Sequence, residues 1–220
     1  MPTRTIVVIN AKGGSGKTTL ACNIAAYYAT EGYKVGLVDF DRQGSALDWL
    51  EDRPEDRAPI AGYDGTGRSF SMPRGKDYVI MDAPAATHGA ALANVLSHAQ
   101  TALIPVIPSP IDLNAAMGFL DELVDVGRVL KNKVRVATVA NRVRENSPGR
   151  YEIEEFLDSL RLPDGRKMPF VALLRNTQNY VNAAERGLSI FEIAPSRAEH
   201  DLELWKTLTR WLNSKNSLPR

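Results

Sequence analysis

The chain contains one cysteine, Cys22, so it cannot form an internal disulfide. It also has no run approaching the roughly 18 apolar residues of a membrane-spanning helix. The N-terminus lacks the charged-then-apolar segment of a secretory signal, so neither export nor stable membrane insertion is expected, and a reducing cytoplasm is the expected setting. Charge of one sign is lacking too. Lys and Arg number 27 against 26 Asp and Glu, for a net +1, so any basic surface must come from local clustering. No internal repeat or low-complexity tract interrupts the chain. At 220 residues, with 44% hydrophobic and 24% charged residues, it is expected to form one globular domain spanning residues 1–220.

What is present is alternation. β-rich runs at 5–9, 35–39, 78–81, 102–107, 134–140 and 170–174 are separated by helical stretches at 17–30, 45–51, 90–97, 113–131, 150–160, 179–186 and 197–212. Gly32, Gly149 and Gly187 sit at plausible boundaries. This order predicts an α/β fold with a mostly parallel twisted sheet and helices on both faces. Residues 52–76, rich in Pro, Gly, Asp and Arg, read as a surface excursion with room for one short edge strand. In such sheets ligands bind beyond the carboxyl ends of the strands.

Three motifs fall there. The apolar run Ile6–Ile9 leads into Asn10-Ala-Lys-Gly-Gly-Ser-Gly-Lys-Thr-Thr19, a phosphate-cradling loop between a strand and a helix. Backbone N–H groups at Gly13, Gly14, Ser15 and Gly16 can turn onto phosphate oxygens, Lys17 can reach the β and γ phosphates, and the Thr18 hydroxyl can ligate magnesium. The alternative is a Gly-rich turn that merely feeds a helix. Next, Asp39 and Asp41 close the second strand, where paired acids can hold magnesium through water and orient a hydrolytic water; the alternative is that both cap the helix starting near Ser45. Third, Tyr78–Met81 delivers Asp82 and then Ala83-Pro84. Asn141 closes another strand and is followed by Arg142; its side-chain amide can donate and accept together, as base recognition requires, although turns also favour asparagine. His88 reads as a polar residue at a helix start.

The loop carries Ala11 where the general phosphate-loop pattern has Gly, and an extra lysine, Lys12. That departure resembles the deviant Walker A of the ParA/MinD family of P-loop ATPases. The resemblance implies ATP and Mg2+ as cofactors, with Lys17 acting in its own subunit and Lys12 reaching the nucleotide of a partner. Residues Gly13 to Thr19 would then hold the phosphates. Asp39-x-Asp41-x-Gln43 resembles the family's first switch, which assigns water activation to Asp41 and places Asp39 near Lys17; Arg42 stands where the family often has proline. Asp82 matches the Walker B acid, giving Thr18, Asp41 and Asp82 as the metal set, with Pro84, Ala85 and Ala86 as the second switch. Asn141 matches the asparagine that reads adenine. The segment Pro105 to Asp112 resembles a proline-rich stretch that contributes to dimerisation and nucleotide contact. Residues Arg175 to Glu192 resemble the closing segment of ParA-type chains.

These likenesses imply a ParA-type positioning ATPase that becomes a homodimer on binding ATP, coats nucleoid DNA without sequence preference, and is released when a cargo adaptor stimulates hydrolysis. Between Arg128 and Arg175 eleven basic residues stand against six acids, the local excess such DNA binding requires, although a solvated surface has the same composition. The cargo would be a plasmid, a chromosome region or a protein assembly such as a carboxysome. No helix-turn-helix precedes the first strand, so the likeness is to the short subgroup and operator-specific repression is not expected. A MinD-like membrane-associated protein is the alternative; it would need an amphipathic C-terminal helix, whereas Leu202, Trp205, Leu208 and Leu212 read as core-facing. An iron–sulfur carrier on the same fold would need more cysteines than Cys22.

Overall fold

A computed structural model describes residues 2–67, 70–129, 133–162 and 164–219. Among them the strands β1 (Arg4–Val8), β2 (Val35–Asp39), β3 (Ile60–Asp64), β4 (Tyr78–Asp82), β5 (Thr101–Val106), β6 (Arg135–Val143) and β7 (Phe170–Arg175) form one sheet in the order β3-β2-β4-β1-β5-β6-β7. Every neighbouring pair runs parallel. The helices are α1 (Lys17–Thr30), α2 (Ser45–Glu51), α3 (Gly89–Ser97), α4 (Pro110–Val129), α5 (Pro148–Ser159), α6 (Gln178–Ala184) and α7 (Pro195–Leu212).

Parallel strands covered on both faces read as continuous apolar runs, and β1 shows why. Its alternate residues serve two cores: Ile6 and Val8 pack with α1, α2 and α7, while Val7 and the adjoining Ile9 pack with α3, α4 and α5. The helices after β1 and β4 therefore leave on opposite faces. The crevice between the ends of these neighbouring strands is the switch point where doubly wound sheets bind ligands. Register sharpens it, since Val8 and Asp39 both lie opposite Asp82, so three loops start flush.

The excursion at 52–76 contains the short edge strand it had room for, β3. Most other element boundaries agree with the sequence reading to within two residues, and three points differ. β6 continues past Asn141 to Val143, because a register shift against β7 between Ala140 and Val143 inserts an extra residue. α4 begins at Pro110, the favoured first helical position for a ring that fixes φ and lacks an N–H; its predicted end at Lys131 lies outside the described residues. Gly149 is no boundary: it lies within α5, just after Pro148. His88 is the N-cap of α3, with Nδ1 2.6 Å from Glu122 Oε2. Trp205, Leu208 and Leu212 are buried in the core and Leu202 packs against it, so the apolar stripe of α7 is already covered.

The chain following α6 is fastened to α2. Arg53 and Glu192, both nearly buried, form a two-point ion pair with contacts of 2.5 and 3.0 Å, and Arg53 also donates to the carbonyls of Ala58 and Gly187. Trp49 Nε1 donates to Leu188 O at 3.2 Å. Gly187 allows this approach: its φ is +60°, and a Cβ there would lie 2.3 Å from Arg53 N, where backbone cannot yield. Gly187→Ala is expected to destabilise the chain by at least about 2 kcal/mol, through left-handed strain and overpacking together. Urea midpoints test this, and an unchanged midpoint contradicts it.

Candidate nucleotide site

The loop from Asn10 to Gly16 joins β1 to α1 and is held from three sides. Buried Asn10 donates from Nδ2 to Pro105 O at 2.7 Å and accepts from Lys12 N at 2.9 Å, tying the loop's start to the end of β5. Ala86 N donates to Ala11 O at 2.7 Å, linking the loop to the segment after β4. Asn141 Nδ2 donates to Ser15 O at 2.8 Å. Gly16 is needed at that last contact, because its φ is +85° and a Cβ would meet Asn141 Nδ2 at 2.3 Å. Gly16 is also the N-cap of α1, which has no side-chain cap. The first-turn N–H groups of this 14-residue helix are thus left for an outside acceptor, at the end where the macrodipole favours an anion.

Thr18 and Asp82 meet across the crevice: Thr18 Oγ1 donates to Asp82 Oδ2 at 2.6 Å. The other oxygen, Asp82 Oδ1, is buried and has no hydrogen-bond partner among the described residues. Burial pushes the Asp82 carboxyl up to about 7, against the opposing pull of the Thr18 hydrogen bond and the Lys17 charge. A buried acid with an open lone pair beside a hydroxyl suits a hard cation such as Mg2+. Lys17 is nearly buried, and its Nζ donates to Lys12 O at 3.2 Å. Burial lowers its pKa, while the charges of Asp82 and Asp41 act to raise it.

Asp39 is held by backbone at the start of α2. Its two oxygens accept from Asp41 N and Ala46 N, each at 2.8 Å, so it closes the first switch and caps α2, whose N-cap Gly44 has no side chain to do so. Asp41 Oδ1 accepts only from Gln43 N, at 3.0 Å, on a partly exposed loop. The capping alternative thus describes Asp39, and leaves Asp41 at the crevice. Lys12 pairs with Asp112 of its own chain, Nζ to Oδ1 3.0 Å.

On the far side of the loop a cavity of about 430 Å³ is lined by Thr19, Asn141, Arg142, Asn176 and Tyr180, among others. The β6 bulge shapes it, as bulges beside sites commonly re-aim side chains. Arg142 has φ +53°, unusual for a non-glycine residue, and the bulge buries Asn141 against Ser15 while Arg142 is exposed. Asn141 therefore braces the loop with its nitrogen and lines the cavity as well. The basic cluster divides. Arg150, Arg166, Lys167 and Arg175 are paired with Glu154, Asp164, Asp158 and Asp201 respectively. Arg142 and Arg144 are exposed without a carboxylate partner among the described residues. Lys131 lies outside the described residues, as does the side chain of Arg128.

Asn10, the Ser109–Asp112 pair and the bulge were missed in the sequence. Ser109-x-x-Asp112 had a legible signal, the spacing of a helix capping box. The bulge had none, since an extra residue in a strand leaves the local composition unchanged.

Fold and site together define a phosphate-loop nucleotide-binding protein. More narrowly, residues 6–190 match the CobQ/CobB/MinD/ParA nucleotide binding domain, and the chain belongs to that family. It is 30% identical over 195 residues, 86% of this chain and 87% of the relative, to the Maintenance of carboxysome distribution protein A of Halothiobacillus neapolitanus. The protein of that name from Gloeobacter kilaueensis is 33% identical over 193 residues, covering 86% and 84%. The solved structure of a putative plasmid partition protein from Borrelia burgdorferi bound to AMPPNP superposes with TM-score 0.71 at 14% identity, covering 94% of this chain and 99% of that one.

Asp82 predicts a pH effect. An unfolded carboxyl titrates near about 4, so between there and about 7 the folded chain binds more protons than the unfolded one. Nucleotide-free stability therefore falls as pH rises through that window. Asp82→Asn is expected to remove the decline. Equal pH slopes of the denaturation midpoint in wild type and variant would contradict the assignment.

Proposed function

We propose that this chain, as one domain, is a ParA-type ATPase whose ATP-bound form is a homodimer. In this reading it binds nucleoid DNA without sequence preference in the cytoplasm and positions a cargo, and an adaptor that stimulates hydrolysis releases it. The carrying observation is Lys12, an extra lysine at the mouth of a phosphate loop that already has Lys17 inside it. One ammonium suffices for the loop's own phosphates, so the second is available to another subunit's nucleotide.

The proposed roles follow from position. Gly13 to Thr19 hold the phosphates, with Lys17 neutralising them. Thr18 and Asp82 hold Mg2+, joined by Asp41 through water; the ion, when bound, offsets charge developing on the transferred phosphoryl group. Asp41, with one oxygen free of hydrogen bonds, orients the attacking water. Asn141 offers its amide oxygen to the base in the adjoining cavity. Ile111, 73% exposed at the start of α4, lies beside the Lys12–Asp112 pair, where a partner subunit would cover it. Arg142 and Arg144, exposed without a carboxylate partner among the described residues, are cations available to DNA phosphates. The likeness to proteins named for carboxysome distribution favours a protein assembly as cargo.

Lys12→Ala is expected to keep ATP binding and lose ATP-dependent pairing in light scattering after size exclusion; a variant that pairs normally sinks the role. Asp41→Ala is expected to slow adaptor-stimulated hydrolysis by about a hundredfold and to leave the dimer on DNA, whereas unchanged turnover refutes the assignment. In gel shifts with ATP, DNA affinity should fall at least about tenfold between roughly 50 and 200 mM salt. Binding indifferent to salt excludes the DNA reading.

A further inference from the structure

Asp112 sits in the first turn of α4, and both its oxygens are engaged. Oδ2 lies against the Ser109 hydroxyl, whose oxygen in turn accepts from Asp112 N at 3.2 Å. Oδ1 is 3.0 Å from Lys12 Nζ. Burial alone would raise the Asp112 carboxyl, but the hydrogen bonds from Ser109 and Lys12 and the Lys12 charge hold it below the usual carboxylate range. The carboxylate is thus charged and fixed in place. Its mate is charged but not fixed: Lys12 is 39% exposed on a flexible stem, against 17% for Asp112. The N-terminus of α4 carries the positive end of a helix dipole and repels an ammonium. The Asp112 charge is what draws Lys12 there.

We propose that Ser109 and Asp112 are positioning residues that hold Lys12 within its own subunit, so that this ion pair competes with subunit pairing. The inference rests on the ATP-dependent dimer proposed above. A Lys12 bound to Asp112 cannot also reach across to a partner's phosphates. An ion pair of this exposure is worth about two- to fivefold in an equilibrium constant. A symmetric dimer breaks two, so removing them tightens pairing by about four- to twenty-five-fold. The pair sets how much ATP-bound protein must accumulate before dimers form.

Asp112→Asn removes the charge while keeping an acceptor for Ser109. Sedimentation of the full chain with saturating ATP and Mg2+ is expected to show this variant pairing at about four- to twenty-five-fold lower protein concentration than wild type. The advantage should shrink as salt screens the ion pair in the reference protein. Ser109→Ala, which frees the carboxylate without removing it, should shift pairing in the same direction by less. That loss of advantage with salt is a signature that a merely structural role for Asp112 would not produce. Wild type that pairs with ATP while Asp112→Asn pairs no better overturns the positioning role alone. Wild type that fails to pair at all overturns the dimer reading and this inference with it.

Discussion

Asp82 lies at the carboxyl edge of the sheet, with one oxygen 2.6 Å from the Thr18 hydroxyl and the other buried and unpartnered. Much of the fold brings about that placement. β4 must insert between β1 and β2 with Asp82 opposite both Val8 and Asp39, and α1 and α3 must leave on opposite faces to keep the crevice open. A buried acid left half satisfied is costly, and proteins concentrate such groups where a ligand completes them. The two apolar cores, by contrast, are fully covered, and sustain the edge on which this strain is held.

Around that acid the loops are braced by neighbours far away in the chain. Asn10 reaches the end of β5, Ala86 holds the loop at Ala11, and Asn141 reaches in from β6. Asp39 caps α2, and α2 is clamped to the chain after α6 by Arg53 and Glu192. The first switch and the base-side cavity thus share one rigid frame. Asp41 and Lys12 differ from this frame: both are partly exposed, and each has a partner it can exchange. Under the proposed function, Asp41 and Lys12 use that freedom to answer to a nucleotide and to a second subunit, with the braced loop as their fixed reference.

The strands and helices were legible because their apolar runs and flanking glycines repeat a simple α/β rhythm, and α1, α2 and β2 begin and end where the sequence predicts. The phosphate loop was legible as well, since its chemistry is local. What required coordinates was long-range: the amide of Asn141 on Ser15 spans 126 positions in sequence. The bulge that aims it follows from pairing with β7 rather than from its own residues. Which of the paired acids caps α2 was hidden as well, because two acids one residue apart look alike in sequence, whereas the backbone N–H groups of Asp41 and Ala46 distinguish them. The pairing of Lys12 with Asp112 was hidden for the same reason, since each residue was visible and only their proximity was not.

The central claim is that Lys12 exchanges an intramolecular partner for the nucleotide of another subunit. Its most direct test is a crystal structure of the full chain with Mg2+ and a non-hydrolysable ATP analogue. The predicted result is a two-fold dimer in which each Lys12 has left Asp112 and contacts the phosphates held by the partner. A structure with the analogue bound in which Lys12 still pairs with Asp112 of its own chain would contradict it.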